Sequence, residues 1–205
     1  MRICLPQKKP LPAQKEGIKV IAHRGLFENC PENSLEGFAA CADAGAWGVE
    51  LDIRWTKDMV PVVYHDEAII CPKNHAYPIE QLAYSELLAY KANIPSLAEV
   101  IDKISPKCHL MIELKDNLGK QQQNILQQLL SHLTPAQDYH LMSLQTEILQ
   151  SANLFPKSCL LSIAIYNNKA ILKDTFDNDW GGMTGSYLLL TNFYKNKLVQ
   201  ANKLF

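Results

Sequence analysis

Gly48-Val49-Glu50-Leu51-Asp52-Ile53 carries the organisation of the whole chain in six residues. Val49, Leu51 and Ile53 alternate with Glu50 and Asp52, the period-two pattern of a strand whose two faces differ. One face suits packing under helices, and the other holds two carboxylates side by side. The same reading extends to both sides. Ile18 to Ala22 is an apolar run ending in His23-Arg24-Gly25, and His109 to Leu114 is another, with Glu113 and Lys115 sharing a face at its end. Pro61-Val62-Val63-Tyr64 reads as a hairpin partner of the 48–53 strand, joined through the turn residues Lys57-Asp58, and it runs into His65-Asp66.

Further along, strands are expected over Tyr139–Leu144, Cys159–Ile165 and Trp180–Tyr187. Helical periodicity lies between them. It begins at Asn33, read as an N-cap, with Leu35, Phe38, Ala39 and Ala42 on one face and a stop near Gly45. Ser96-Leu97-Ala98-Glu99 has capping-box spacing and opens a helix to Ile104. Gln121–Leu133, Thr146–Leu154 and Asn192–Leu204 are the remaining helical segments. Strands alternating with helices at this spacing imply βαβ units, about six of them, and an α/β fold.

Composition narrows the class. The chain has 205 residues, 47% apolar and 20% charged, enough to bury one core. Twenty Lys+Arg against 21 Asp+Glu leave a net charge of −1, which argues against a dedicated nucleic-acid or anionic-membrane surface. No apolar run approaches the ~18 residues of a membrane span, and the first ten residues contain no stretch suited to a signal peptide. Residues 1–17, with Pro6, Pro10 and Pro12 among lysines, read as a flexible tail before a single domain over 18–205. Six cysteines without CxxC spacing read as reduced, mostly buried thiols, and the expected location is cytoplasmic.

The charged residues at the strand ends form a chemically coherent set. Glu50, Asp52 and Glu113 supply three negative charges against Arg24 and Lys115. Converging carboxylates raise each other's pKa unless a cation holds them, and oxygen-only ligands favour a hard divalent ion, Mg²⁺ or Ca²⁺. Arg24 and Lys115 are then left to meet an anion, for which a phosphate is well suited. His23 and His65 titrate near neutrality and can exchange protons. Together these groups describe a phosphodiester hydrolase site.

His23-Arg24-Gly25, Pro31-Glu32-Asn33-Ser34, Glu50-Leu51-Asp52, Thr56-Lys57-Asp58, Val62-Val63-Tyr64-His65-Asp66 and Glu113-Leu114-Lys115 occur in this order. The series resembles the glycerophosphodiester phosphodiesterase family, most strongly from about Val20 to Lys115. The resemblance implies a TIM-type (β/α) barrel that hydrolyses soluble glycerophosphodiesters to glycerol 3-phosphate and an alcohol, an activity of lipid and glycerol metabolism. It implies His23 and His65 as the acid–base pair, Glu50, Asp52 and Glu113 as metal ligands, and Arg24 and Lys115 as phosphate contacts. Ser34 stands where the family usually shows threonine, with Asn33 expected to cap the first helix and Pro31 to fix the loop beneath the site.

The family barrel continues past the sixth unit, so a barrel shortened by its last two strands is expected, with pairing to a second copy as one way to cover its edges. Two other expectations stand beside the hydrolase: a catalytically impaired remnant or binding module of the same fold, and a related phospholipase acting on lysolipids or phosphoinositides. Plainer roles are weighed as well. Glu113 and Lys115 could simply pair with each other. His75, His109, His132 and His140 fit no motif and read as structural, Trp47, Trp55 and Trp180 as packing, and Tyr187 as a candidate pocket residue.

Overall fold

The structure is a computed structural model that describes residues 2–4, 19–25, 30–71, 75–105, 107–165, 167–185 and 191–204. It divides into two compact units, one over residues 3–110 and one over 111–205 together with residues 1–2.

β1 (Arg2–Cys4), of which Ile3 and Cys4 belong to the first unit, is hydrogen-bonded to β2 (Val20–Ala22), which runs parallel to β3 (Gly48–Trp55). Of the segment expected to be a loose tail, β1 is therefore a strand, and residues 5–17 lie outside the described residues. The hairpin expectation holds. β4 (Pro61–Val63) is antiparallel to β3, with Ile53 opposite Val63 and Trp55 opposite Pro61. A second hairpin follows, β5 (Ala68–Cys71) with β6 (His75–Pro78), and then α2 (Tyr84–Tyr90), neither foreseen from the sequence. Val62, Ile69, Ile79, Leu82, Leu87 and Ile94 form a buried cluster beneath this excursion.

Helix α1 (Leu35–Asp43) buries Phe38 and Cys41, and α3 (Leu97–Ile104) buries Leu97, Val100, Ile101 and Ile104, the i, i+3, i+4, i+7 face of an amphipathic helix. The capping box at α3 forms as expected: Ser96 Oγ accepts from Glu99 N, and Ser96 N donates to Glu99 Oε2 at 2.7 Å. Capping of α1 differs from expectation. Ser34, not Asn33, is the N-cap; its Oγ accepts from Gly37 N at 3.1 Å and donates to Pro31 O at 2.7 Å. Asn33 lies one residue too early, at φ +53°, and turns its amide to another task described below.

β7 (His109–Leu114) begins in the first unit, where His109 N donates to Trp47 O at 2.9 Å, and its remaining residues belong to the second. There the strand order continues β7-β8-β9-β10, with β8 (Tyr139–Ser143), β9 (Leu160–Ala164) and β10 (Gly182–Gly185) parallel in sequence. Between and after them come α4 (Lys120–Leu129), α5 (Thr146–Ser151), α6 (Asn168–Asp177) and α7 (Asn192–Gln200). Six strands, β2, β3, β7, β8, β9 and β10, are thus each followed by a helix, as the sequence spacing implies. Leu204 bridges in parallel to Gly182 beside β10. Cys41, Cys108 and Cys159 are buried free thiols, Cys30 is half-buried, and Trp55 and Trp180 are core residues. No helix among the described residues is long and apolar enough to cross a membrane.

Candidate active site

β2 ends in a single 3-10 turn, His23–Gly25, and this turn aims the first site residues. Arg24 and Gly25 both take left-handed φ, +53° and +60°. Gly25 is required here twice over, because a Cβ at this position would also lie 2.5 Å from Cδ1 of Phe38 on α1. The turn brings the Arg24 backbone N–H to Oε2 of Glu50 at 2.9 Å and the His23 Nε2 to the same oxygen at 3.7 Å.

Glu50 and Asp52 share one face of β3, as period two demands, and are 2% and 0% exposed. Each offers a carboxylate oxygen within 4.8 Å of the other's. Two buried anions this close are costly without nearby positive charge and directed donors. The first unit supplies both. Arg24 Nε lies 3.3 Å from Asp52 Oδ2, and Asn33 Nδ2 donates to the same oxygen at 3.0 Å. Asn33 is itself fixed, its N–H donating to Arg24 O at 2.8 Å. The other face of the guanidinium meets Glu32, Nη1 to Oε2 at 3.1 Å.

Protonation follows from these contacts. Burial, and then the neighbouring Arg24 charge, hold the His23 imidazole below the ordinary histidine pKa against the opposing pull of Asp52 and Glu32. The neutral form of His23 is thereby favoured, and a neutral imidazole can accept a proton. Burial works against the Arg24 charge, but Asp52 and Glu32 more than offset it and raise its pKa.

His65 follows β4, whose antiparallel course carries the chain back along β3: Tyr64 N donates to Asp52 O at 3.0 Å. His65 lies close enough to His23 to add slightly to what lowers the His23 pKa. His65 Nδ1 is 2.7 Å from Asp66 Oδ1, and its backbone carbonyl accepts from Arg54 Nε at 3.3 Å. With Nδ1 engaged, Nε2 is the nitrogen left for chemistry.

In the second unit, Glu113 and Lys115 close β7. They pair with each other, Nζ to Oε1 at 2.5 Å, with side chains only 9% and 10% exposed. The plainer expectation for these two thus describes their direct contact. Arg24 and Lys115, the residues expected to meet an anion, each sit on a carboxylate here, Arg24 on Asp52 and Glu32 and Lys115 on Glu113. Three partners went unassigned in the sequence: Glu32 to Arg24, Asn33 to Asp52 and Asp66 to His65. The motifs Pro31-Glu32-Asn33-Ser34 and His65-Asp66 were the available signals. His109 stacks on Trp47 with ring centroids 4.2 Å apart, away from this chemistry, and Tyr187 lies outside the described residues.

A family profile described as "Glycerophosphoryl diester phosphodiesterase family" matches residues 23–152. A glycerophosphodiester phosphodiesterase of Caldanaerobacter subterraneus is 35% identical over 111 residues, 48% of this chain and 46% of that protein. One from Bacillus altitudinis is 34% identical over 113 residues, 49% of this chain and 46% of its own length. The chain thus spans about half the length of these curated relatives. Among solved structures, the Thermotoga maritima glycerophosphodiester phosphodiesterase superposes with a TM-score of 0.76 at 22% identity, covering 93% of this chain and 85% of that one. An Oleispira antarctica phosphodiesterase in complex with the product sn-glycerol-3-phosphate gives 0.74 at 25% identity, covering 91% and 82%. The fold is therefore the TIM-type α/β barrel fold that the family resemblance implies.

Proposed function

This chain belongs to the glycerophosphoryl diester phosphodiesterase family, and on that premise we propose that it hydrolyses glycerophosphodiesters to glycerol 3-phosphate and an alcohol. The observation that carries the reading is the buried Glu50–Asp52 pair with His23 and Arg24 fastened to it. Such a pair fits a divalent cation by its chemistry: buried, oxygen-only and anionic, it matches Mg²⁺ or Ca²⁺. In this reading Glu50, Asp52 and Glu113 hold the ion. When bound, such an ion supplies Lewis-acid stabilisation to phosphoryl oxygens.

The protein's own groups account for the proton movements. Neutral His23 takes the proton of the attacking water, and His65, oriented by Asp66, gives a proton to the departing alcohol oxygen. Across the reaction one water is consumed. Its oxygen bonds to phosphorus, the phosphorus–oxygen bond to the alcohol breaks, and that oxygen leaves with the electron pair and the proton. Arg24 and Lys115 carry the charge that meets the phosphate, exchanging their carboxylate partners for it on binding.

The test is release of glycerol 3-phosphate from glycerophosphoethanolamine by folded protein with Mg²⁺ or Ca²⁺ present. Turnover that needs the ion and is lost in His23→Ala supports the reading. Folded, metal-loaded protein that releases none removes it.

A further inference from the structure

Beside Glu32 and Asn33 lies a cavity of about 310 Å³, formed wholly within the first unit between the loop before α1, the end of β4 and the loop before α3. Two of its lining residues belong to the cluster already described. Glu32 faces the cavity while its carboxylate holds Arg24, and Asn33 faces it while its amide holds Asp52. The remaining polar lining comes from Ser34, whose hydroxyl is taken up by Pro31 O and Gly37 N, and from Tyr64, Lys91 and Asn93.

The charges of this cavity are unequal. Glu32 is matched by Arg24 at 3.1 Å. Lys91 rests on neutral groups only: its Nζ donates to the Tyr64 hydroxyl at 3.3 Å and stands 4.5 Å from the centre of that ring. Among the described residues no carboxylate pairs with it. A lysine so placed, beside an amide and a phenol that can also hydrogen-bond, is suited to an anionic oxygen group. Glu32, also in the lining, has a half-exposed carboxylate able to accept from an ammonium.

We propose that this cavity binds the alcohol half of the substrate, and that it selects an alcohol bearing a carboxylate beside an ammonium, as serine does. The proposal rests on the hydrolase reading for its substrate and names the head group within that class. Lys91 and Asn93 meet the carboxylate, Glu32 meets the ammonium, and the shared wall at Glu32 and Asn33 keeps the ester bond beside Arg24 and Asp52. Binding the carboxylate costs Lys91 only a neutral partner, whereas a head group with an ammonium alone leaves Lys91 unmatched.

The experiment compares kcat/KM on glycerophosphoserine and glycerophosphoethanolamine for the wild type, Lys91→Met and Lys91→Arg, each checked for an unchanged thermal transition. The wild type should prefer the serine diester. Lys91→Met should cut the ratio of the two about tenfold, the scale of one charge-assisted hydrogen bond, and Lys91→Arg should keep most of it. Turnover of both diesters with a ratio that Lys91→Met does not move overturns the head-group assignment and leaves the hydrolase reading standing. Should neither diester be cleaved, the hydrolase reading fails, and calorimetric titration with glycerophosphoserine decides the cavity. Binding weakened in Lys91→Met upholds the cavity, and equal or absent binding overturns it.

Discussion

The side-chain amide of Asn33 donates from Nδ2 to Oδ2 of Asp52 at 3.0 Å, and both residues are buried. That contact fixes which way one carboxylate of the acidic pair points. Asx residues tolerate left-handed backbone better than other side chains, so a residue at φ +53° that must also hold a carboxylate is best met by asparagine. Groups that orient a metal-binding carboxylate typically contribute about 10- to 100-fold to metal affinity. Asn33→Gly, which loses the amide while accepting the backbone, should weaken Mg²⁺ or Ca²⁺ binding by that factor in calorimetry. Asn33→Ala should match it in affinity and melt lower, because it adds left-handed strain. A glycine variant that binds metal like the wild type would remove Asn33 from the site.

The two imidazoles should act on the chemical step and not on assembly of the site. His23→Gln and His65→Gln are each expected to lower kcat by roughly 10²- to 10⁴-fold, the range of general acid–base catalysis. Divalent-ion affinity, measured separately, should stay within a few-fold, since the cation is assigned to carboxylates. Loss of metal binding in both variants would recast the histidines as parts of the scaffold.

Local patterns carried much of this architecture in advance. Alternation in Gly48–Ile53 placed Glu50 and Asp52 on one face, and the Ser96–Glu99 spacing gave a cap that forms as expected. The hairpin β5–β6 and helices α2 and α6 were not foreseen. The Ala68–Cys71 run is too short for its period to be distinguished from loop, with Ile70 68% exposed and Ile69 buried. Helix α6 has Asn167 at its N-cap in a left-handed conformation, with no side-chain cap hydrogen bond. In the site, residue types were legible but pairings were not. Asn33 read as a cap because cap preference is local, whereas its bond to Asp52 spans 19 residues and depends on tertiary structure. Likewise, no spacing rule could tell that Arg24 would be shared between Glu32 and Asp52.

Lys115 and Glu113 form a mostly buried ion pair, and removing one partner of such a pair leaves a charge in a poor solvent. Lys115→Met should therefore destabilise the protein by roughly 3–5 kcal/mol in denaturant unfolding at pH 7. If Glu113 is a metal ligand, a divalent ion takes over part of the role of Lys115. Millimolar Ca²⁺ should then raise the melting temperature of the variant more than that of the wild type. Equal shifts in the two proteins would count against Glu113 as a ligand.

The cap of α3 gives a prediction independent of the chemistry. The Ser96 hydroxyl and then its backbone N–H, each 2.7 Å from Glu99 Oε2, hold the Glu99 carboxyl below its ordinary pKa of 4.5. A carboxyl depressed in the folded state binds its proton more readily once unfolded. Its contribution is therefore complete above pH 4.5 and disappears as the pH falls through the folded value. Glu99→Gln keeps a hydrogen-bond acceptor but cannot titrate, so it should be less stable than the wild type at pH 7. The gap should narrow as pH drops below 4.5, where the wild-type group becomes neutral as well. Ser96→Ala removes the donor and the cap together, at a cost of about 1 kcal/mol at pH 7, and should flatten the acid dependence. Denaturant unfolding of the three proteins between pH 3 and pH 7 reads both effects, and a gap that stays constant across that range would show that the charge of Glu99 plays no part in holding α3.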